Sequence, residues 1–308
     1  MGEPIDLILD WDGTLTRKDT MFAMAEIARA RDRRLGVVSN ATKSWTGFGQ
    51  AYIDDYSAHK GQYRPLAHER TDAEQESAWL RSLSHVEGKS VARVAQSGFF
   101  SGVKSADVVD AASKVLASGQ LAMRTGWEKA FLQTRRGSPV EAKIVSVNWS
   151  AAFIRVALNE AAQNAEISPA EKDMLRSGIN SVNIVANEID GLDAREGSTG
   201  DLTNGDDPGV RTSYDKLRQL PLSFDSLKVY VGDSATDFDS LSAVHLGVCI
   251  RDEPMQSSQA SLAETFTRLG RGVKHISNLS VADVQHGRSK DVVWARDFDE
   301  IMHFVHAL

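Results

Sequence analysis

The feature that most constrains this chain is a short apolar run, Ile5-Asp6-Leu7-Ile8-Leu9, that ends in Asp10-Trp11-Asp12-Gly13-Thr14-Leu15-Thr16. The run reads as a buried strand. Two carboxylates, two positions apart, then sit where the strand stops. Gly13 frees the backbone to turn, and Thr14 and Thr16 offer hydroxyls and amides to an anion. A lone Asp-x-Asp is common in surface turns. The whole string directly after a buried strand instead suits a carboxylate nucleophile with an acid–base partner beside it.

The rest of the chain repeats the theme of an apolar strand followed by a polar end. Candidate strands are residues 5–10, 142–147, 182–188, 228–232, 246–250 and 291–295, with helical patterns between most of them. That alternation predicts an α/β fold with a doubly wound parallel sheet. Such sheets bind ligands at the carboxyl ends of their strands, near the point where strand order reverses. Asp10, Ser146 and Asp233 all fall at such ends, so three distant segments are expected to meet in one crevice.

Residues 17–122 differ. Helical stretches begin at Met21-Phe22-Ala23-Met24 and recur at Ala73–Leu83, Lys89–Phe100 and Ala106–Ser118, without a convincing strand. Roughly a hundred residues exceed one crossover connection. The expectation is a catalytic core of residues 1–16 and 123–308 with a helical cap domain, residues 17–122, inserted after the first strand. The alternative is that these helices belong to the core layer. Arg124-Thr125-Gly126-Trp127 marks the expected return to the core. Residues 188–211, rich in Gly, Asp, Asn and Thr, read as a hairpin or loop, and their spacing does not match an EF-hand calcium loop.

Four segments together resemble the haloacid-dehalogenase-like (HAD) hydrolase superfamily in its phosphatase branch. The first is the Asp10–Thr16 string. The second, Ala142-Lys143-Ile144-Val145-Ser146, is a strand ending in serine. The third is Lys216 in Tyr214-Asp215-Lys216-Leu217. The fourth is Val229-Tyr230-Val231-Gly232-Asp233-Ser234-Ala235-Thr236-Asp237. The resemblance implies a Rossmann-like HAD core. It also implies Mg²⁺-dependent hydrolysis of a small phosphomonoester through an aspartyl-phosphate. Asp10 would be the nucleophile, Asp12 the acid and base, Ser146 a phosphate ligand and Lys216 a fixed positive charge. Asp10, the Asp12 carbonyl, Asp233 and Asp237 would hold the metal. Dehalogenases of the superfamily lack the second Asp, so Asp12 argues for phosphoryl chemistry. Thr14 and Asn148 are further candidates for substrate binding.

Within the superfamily the chain is most similar to phosphoserine phosphatase and its relatives. That likeness implies Asp19 as the partner of a substrate ammonium and Arg93 as the partner of its carboxylate. Arg93 also has a structural alternative, pairing with Glu87 or Ser90. Val147-Asn148-Trp149 replaces the glycines usual after the second-motif serine, and Asp19 is shorter than the usual Glu. Both departures favour a small phosphomonoester other than phosphoserine at least as strongly. Ser150 competes with Ser146 but looks like the N-cap of a helix over 151–164. Lys228 competes with Lys216 but precedes a strand.

Composition narrows the rest. The chain has 308 residues, 42% hydrophobic and 25% charged, with a formal net charge of −7. This is an ordinary globular balance, and the negative sign disfavours nonspecific nucleic-acid binding. Cys249 is the one cysteine, so no intrachain disulfide forms, and its apolar surroundings suit a packing role. No run long enough to span a membrane occurs. The expected partner is a small-molecule substrate, with neither nucleic acid nor membrane, and the expected location is cytoplasmic because no secretory leader is evident. Two rivals remain: a phosphotransferase or mutase on the same fold, and a catalytically silent binding protein.

Overall fold

The computed structural model describes residues 4–132, 139–203, 209–221, 225–285 and 291–308. Its strands are β1 (Ile5–Leu9), β2 (Val140–Val145), β3 (Asn183–Val185), β4 (Glu188–Ile189), β5 (Leu202–Thr203), β6 (Leu227–Gly232), β7 (Leu246–Ile250), β8 (Lys274–His275) and β9 (Asp291–Ala295). The helices before β2 are α1 (Ala23–Leu35), α2 (Ala41–Gln62), α3 (Ala73–Ser82), α4 (Ser84–Gln96), α5 (Ser105–Ala117) and α6 (Trp127–Leu132). After it come α7 (Ala151–Asn164), α8 (Pro169–Ser181), α9 (Ser213–Arg218), α10 (Phe238–Ala243), α11 (Ser257–Arg268), α12 (Val281–Gln285) and α13 (Phe298–Val305).

Seven strands form one sheet in the order β3-β2-β1-β6-β7-β9-β8, and every pairing in it is parallel. The chain therefore winds outward from β1 through β2 to β3, then restarts at β6 on the other side of β1. That reversal is the switch point, and it lies between β1 and β6. The sheet is covered on both faces. Leu7 and Leu9 of β1, Val229 and Val231 of β6, and Leu246 and Val248 of β7 enter one apolar cluster. Ile8, Tyr230 and Cys249 from the same strands enter the other. This is the two-residue period of a strand, with apolar side chains on both faces as expected for a central parallel sheet. Burial pushes the Cys249 thiol up to about 12, which leaves it inert, in keeping with a packing role.

The expected strands 246–250 and 291–295 are present with those ends, 5–10 and 228–232 with ends shifted by one residue, and the expected 182–188 divides into β3 in the main sheet and β4 in a separate two-stranded sheet. The second expected strand runs over 140–145 rather than 142–147, because its ladder with β1 pairs Ile5 with Val140 and closes at Leu9 with Ile144. Ser146 thus stands just past the strand instead of inside it. The stretch after Glu188 does form a hairpin, with β4 antiparallel to β5. Residues 204–208 of that stretch lie outside the described residues. The short edge strand β8 has too few residues to leave a pattern.

The helical stretch after β1 leaves and returns side by side. Thr16 bridges Met123 in antiparallel fashion, Arg17 N donates to Ala122 O at 2.9 Å, and Arg124 N donates to Leu15 O at 2.9 Å. Its helices then reach the sheet region in two places. The α1–α5 pair packs against α7, and α3 packs against α9. The 22-residue α2 was not delimited by pattern, because Gly47, Gly49 and Gly61 lower its intrinsic helicity. Tertiary contact compensates: Trp45 and Phe48 pack on the first cluster and Tyr56 on the second.

Candidate active site

The loop after β1 is built by its own residues. Gly13 sits at φ +71°, a conformation that favours glycine. A Cβ there would also lie 2.5 Å from Asp233 Oδ2, so the missing side chain lets the fourth segment close on the first. Thr16 fastens the turn: its hydroxyl donates to Trp11 O at 3.0 Å, and Gly13 N donates to Thr16 Oγ1 at 3.2 Å. Trp11 is fully buried, with Nε1 donating to Thr20 Oγ1 at 3.0 Å. It packs rather than stacks on a ligand.

Lys216 is delivered by α9. Thr212 starts that helix with a reciprocal box in which Thr212 Oγ1 accepts from Asp215 N and Asp215 Oδ2 accepts from Thr212 N. One turn on, Lys216 is fully buried. Its Nζ donates to Asp10 Oδ1 and to Asp237 Oδ1, both at 2.7 Å. Asp237 is held further by the Tyr230 hydroxyl at 2.7 Å and by the Asp233 and Ser234 amides at 3.1 Å each. Gly232 makes this possible, since a Cβ there would lie 2.3 Å from Asp237 Cγ.

Asp10, Asp233 and Asp237 are all buried, and one carboxylate oxygen from each falls within 4.8 Å of the others. These three carboxylates surround one ammonium, and Asp12 adds a further negative charge within electrostatic reach of Asp233. The electrostatic consequence is plain. Burial, then the Asp237 charge, hold Asp10 well above the usual carboxylate range despite Lys216. Burial and Asp237 push Asp233 up to about 7. Burial alone would lower Lys216, but the Asp10 and Asp237 carboxylates outweigh it and hold the ammonium above its ordinary value. An oxygen-only, buried, under-neutralised cluster has the donor chemistry of a hard divalent cation site.

Asp12 faces a different set of partners. Its Oδ1 accepts from Thr20 N at 2.7 Å and Thr20 Oγ1 at 2.5 Å, and its Oδ2 accepts from Asn148 Nδ2 at 2.9 Å. Burial, followed by the neighbouring Asp19 charge, raises it to about 6 even against those hydrogen bonds. Asn148, a candidate substrate ligand by sequence, therefore also orients Asp12. Thr14 is buried, with its hydroxyl 3.5 Å from Asp10 Oδ2. Ser146 is fully buried and its Oγ accepts from Asn148 N at 3.1 Å. Ser150 caps α7, accepting from Phe153 N and donating to Glu188 Oε1.

The two remaining candidates stand apart from the carboxylate cluster. Asp19 is exposed and accepts from Met21 N at 2.6 Å. It is within electrostatic reach of Asp12. Arg93, on α4, pairs with Asp55 of α2 at 2.5 Å, not with Glu87 or Ser90. Glu87 instead accepts from the Tyr52 hydroxyl.

Several contributing residues carried no sequence signal. Arg124 is 2% exposed. Its guanidinium donates to Gly13 O at 2.7 Å and Thr14 O at 2.9 Å and pairs with Asp252 Oδ1 at 2.7 Å. It ties the loop after β1 to the segment after β7. Ser258 of α11 donates to Asp233 Oδ2 at 2.9 Å. Thr20 and Tyr230 brace Asp12 and Asp237. A tyrosine inside an otherwise aliphatic strand was the one hint, because a buried hydroxyl needs a partner.

No protein-family model matches the chain, and no curated protein matches it. Several solved structures resemble it. One is described as a phospho-aspartyl intermediate analogue of phosphoserine phosphatase, at 14% identity and TM-score 0.45, with 99% of each chain covered. A substrate-bound phosphoserine phosphatase complex has 13% identity and TM-score 0.46, again with 99% of each chain covered. A HAD family hydrolase from Salmonella enterica subsp. enterica serovar Typhi has 12% identity and TM-score 0.46, covering 98% of this chain and 72% of that one. Likenesses at this level carry no argument about activity, which rests on the chemistry of the site.

Proposed function

We propose that the protein is a Mg²⁺-dependent phosphomonoester hydrolase that acts on a small phosphorylated metabolite through an aspartyl-phosphate. The observation that carries this reading is the meeting of Asp10 with Lys216 at 2.7 Å, inside a buried cluster with Asp233 and Asp237 at the switch point of the sheet. Asp10, Asp233 and the Asp12 carbonyl would hold the cation, with Asp237 acting directly or through a water. The bound cation would offset the repulsion between a carboxylate and an already anionic phosphoryl group.

An Asp10 carboxylate oxygen attacks phosphorus as the bond from phosphorus to the leaving oxygen breaks. Asp12 gives that oxygen a proton. Water then attacks the phosphorus of the aspartyl-phosphate, Asp12 takes a proton from it, and the Asp10 carboxylate is freed with release of inorganic phosphate. An acid held near 6 by burial is suited to both transfers near neutral pH. Lys216 keeps a fixed positive charge against the nucleophile. Ser146 and Thr14 offer hydroxyls to phosphoryl oxygens, and Asn148 orients Asp12.

The helices of residues 17–122 serve as the cap on this reading, supported by their side-by-side departure and return. Asp19 and Arg93 contact the part of the substrate beyond phosphate. Arg93 retains a buried Nη1 without a hydrogen-bond partner, which supports an acceptor there. The test is phosphate release from a panel of phosphometabolites with Mg²⁺, alongside Asp10→Asn. Turnover by the wild type and none by the variant supports the reading. Substantial turnover by a pure Asp10→Asn sample removes the nucleophile, and phosphate transfer to added alcohols instead of water selects the transferase alternative.

A further inference from the structure

A cavity of about 900 Å³ opens between α2 and α3 on one side and α9 and α11 on the other. Allowing about 30 Å³ for a water in the liquid, it has room for roughly thirty, at the upper end of small-molecule pockets. A three-carbon alcohol would leave most of it unfilled. Its wall from the helical stretch is aromatic, with Tyr52, Tyr56, Tyr63 and Trp79. Tyr56 and Tyr63 both set their rings edge-on to Trp79, with centroids 6.1 and 4.9 Å away.

The opposite wall comes from segments that also carry site residues. Thr212 and Ser213, which start the helix carrying Lys216, line the cavity, as do Ala235 and Thr236, the two residues before Asp237. The cavity is therefore next to the reacting centre by direct chain connection on both the lysine and the fourth segments. Its charges are matched in part. Arg70 and Arg268 both pair with Glu76, at 2.7 and 2.6 Å, and Glu87 takes the Tyr52 hydroxyl. Lys60 and Glu264 are exposed and form no ion pair among the described residues, and Arg211, half-buried, is within electrostatic reach of Glu87 but forms no ion pair there. Among the described residues the Arg211 Nε is a buried donor with no hydrogen-bond partner, although the side chain lines the cavity. A buried guanidinium nitrogen left without an acceptor is costly in an unliganded site, and a ligand acceptor removes that cost.

We propose that this cavity receives the leaving-group half of the substrate, an aromatic body bearing a carboxylate that Arg211 holds. The inference rests on the phosphomonoester reading for the word "leaving group" but not for binding. Tyr52, Tyr56 and Trp79 flank the ring, and Arg211 distinguishes anionic from neutral aryl groups.

Two measurements test it. The first is calorimetric binding of 6-hydroxy-2-naphthoate, the alcohol without phosphate, to wild type, Arg211→Gln and Thr265→Trp. Thr265 lines the cavity from α11 and is only partly buried, so the second variant fills the space without removing a charge. Thermal unfolding verifies that both fold. The expected result is saturable binding to wild type, weakened at least about tenfold in each variant. The second is the ratio of kcat/KM for the naphthoate phosphate over 4-nitrophenyl phosphate. It should exceed about ten in wild type and fall toward one in both variants. No naphthoate binding, or a wild-type ratio near one, overturns the pocket assignment while leaving hydrolysis intact. Binding that both variants weaken, with no phosphate released from any ester, keeps the pocket and removes the hydrolase.

Discussion

The carboxylate crevice and the aromatic cavity lie side by side yet are built on opposite terms. In the crevice, charge is concentrated and under-neutralised, with Asp10, Asp233 and Asp237 around Lys216 and Asp12 close by. In the cavity, Arg70 and Arg268 share Glu76, the other charges stand singly, and the wall is aromatic. The first arrangement stores electrostatic repulsion that a cation and a phosphoryl transfer can use. The second offers shape and contact area. The contrast separates chemistry from selectivity, and each region can be perturbed alone.

The largest expected effect is in the crevice. Asp10→Asn should lower phosphate release by at least about 10³-fold, because a near-isosteric amide lacks the nucleophilic charge. Its melting temperature should not fall, since one member of a crowded carboxylate group has been neutralised. A large drop in stability would show that Asp10 is mainly Lys216's structural partner.

Metal exchange comes next. EDTA should abolish turnover and Mg²⁺ restore it, while Ca²⁺ does not. Calcium accepts more ligands at longer distances, so both Asp10 oxygens can be drawn onto it and none is left to attack. Full activity in Ca²⁺, or after thorough metal removal, would contradict the cation's assigned part.

Lys216→Ala should cost about 3–5 kcal/mol of stability, because it leaves two buried carboxylates without their cation. Added Mg²⁺ should recover part of the loss in melting temperature. No loss at all would mean that the two Lys216 ion pairs add nothing to stability.

Arg124→Gln should cost about 1–3 kcal/mol and lower kcat more than it raises KM, since the guanidinium holds Gly13 and Thr14 rather than substrate. The Asp252 end of the pair adds a pH signature. Burial alone would raise the Asp252 carboxyl, but hydrogen bonds from Arg124, Gln256 and Gln259 outweigh it and hold the group below its ordinary value. Its contribution is therefore fully present above the unfolded value of about 3.9 and is lost as pH falls through the lower folded value. Acid unfolding of Asp252→Asn should be less steep in that window. An unchanged profile would remove Asp252 from the acid response.

The smallest effect belongs to the helical region. Arg93→Ala breaks a solvent-screened pair with Asp55, so little stability should be lost. As a substrate contact it should lower kcat/KM about tenfold or more for a carboxylated substrate and leave a plain aryl phosphate little changed. Equal changes for both would make Arg93 a helix-pairing residue.

The two regions also differ in how far they could be read beforehand. The crevice was legible because each of its segments is a contiguous string with its own local logic. An apolar strand, a terminal carboxylate and a glycine where side chains must pass occur together at Asp10–Gly13 and again at Gly232–Asp233. Strand alternation then brings those ends together whatever the intervening sequence does. The helix Ala151–Asn164 was legible for the same reason, since Ser150 caps it locally.

Arg124, Ser258, Thr20 and Arg211 carried no such mark. Most act through contacts far apart in the chain: Arg124 with Gly13, Thr14 and Asp252, Ser258 with Asp233, and Thr20, which braces Asp12, also with Asn148 across 128 positions, while Arg211 borders the cavity. A single polar residue has no period and no spacing to betray its partner. The aromatic wall was visible as residues at helical spacing but not as a wall, because α2, α3 and the loop between them had first to fold back over α9 and α11. Sequence by itself determined the alternating α/β layers and the strand ends that meet, consequences of short-range pattern, whereas Lys216 and Asp237 were marked by resemblance to known motifs and not by a local rule. Tertiary structure alone decided which donor braces which carboxylate, that Arg93 faces Asp55, and that a cavity lies beside the site. Those depend on packing between segments far apart in the chain, which no local rule encodes.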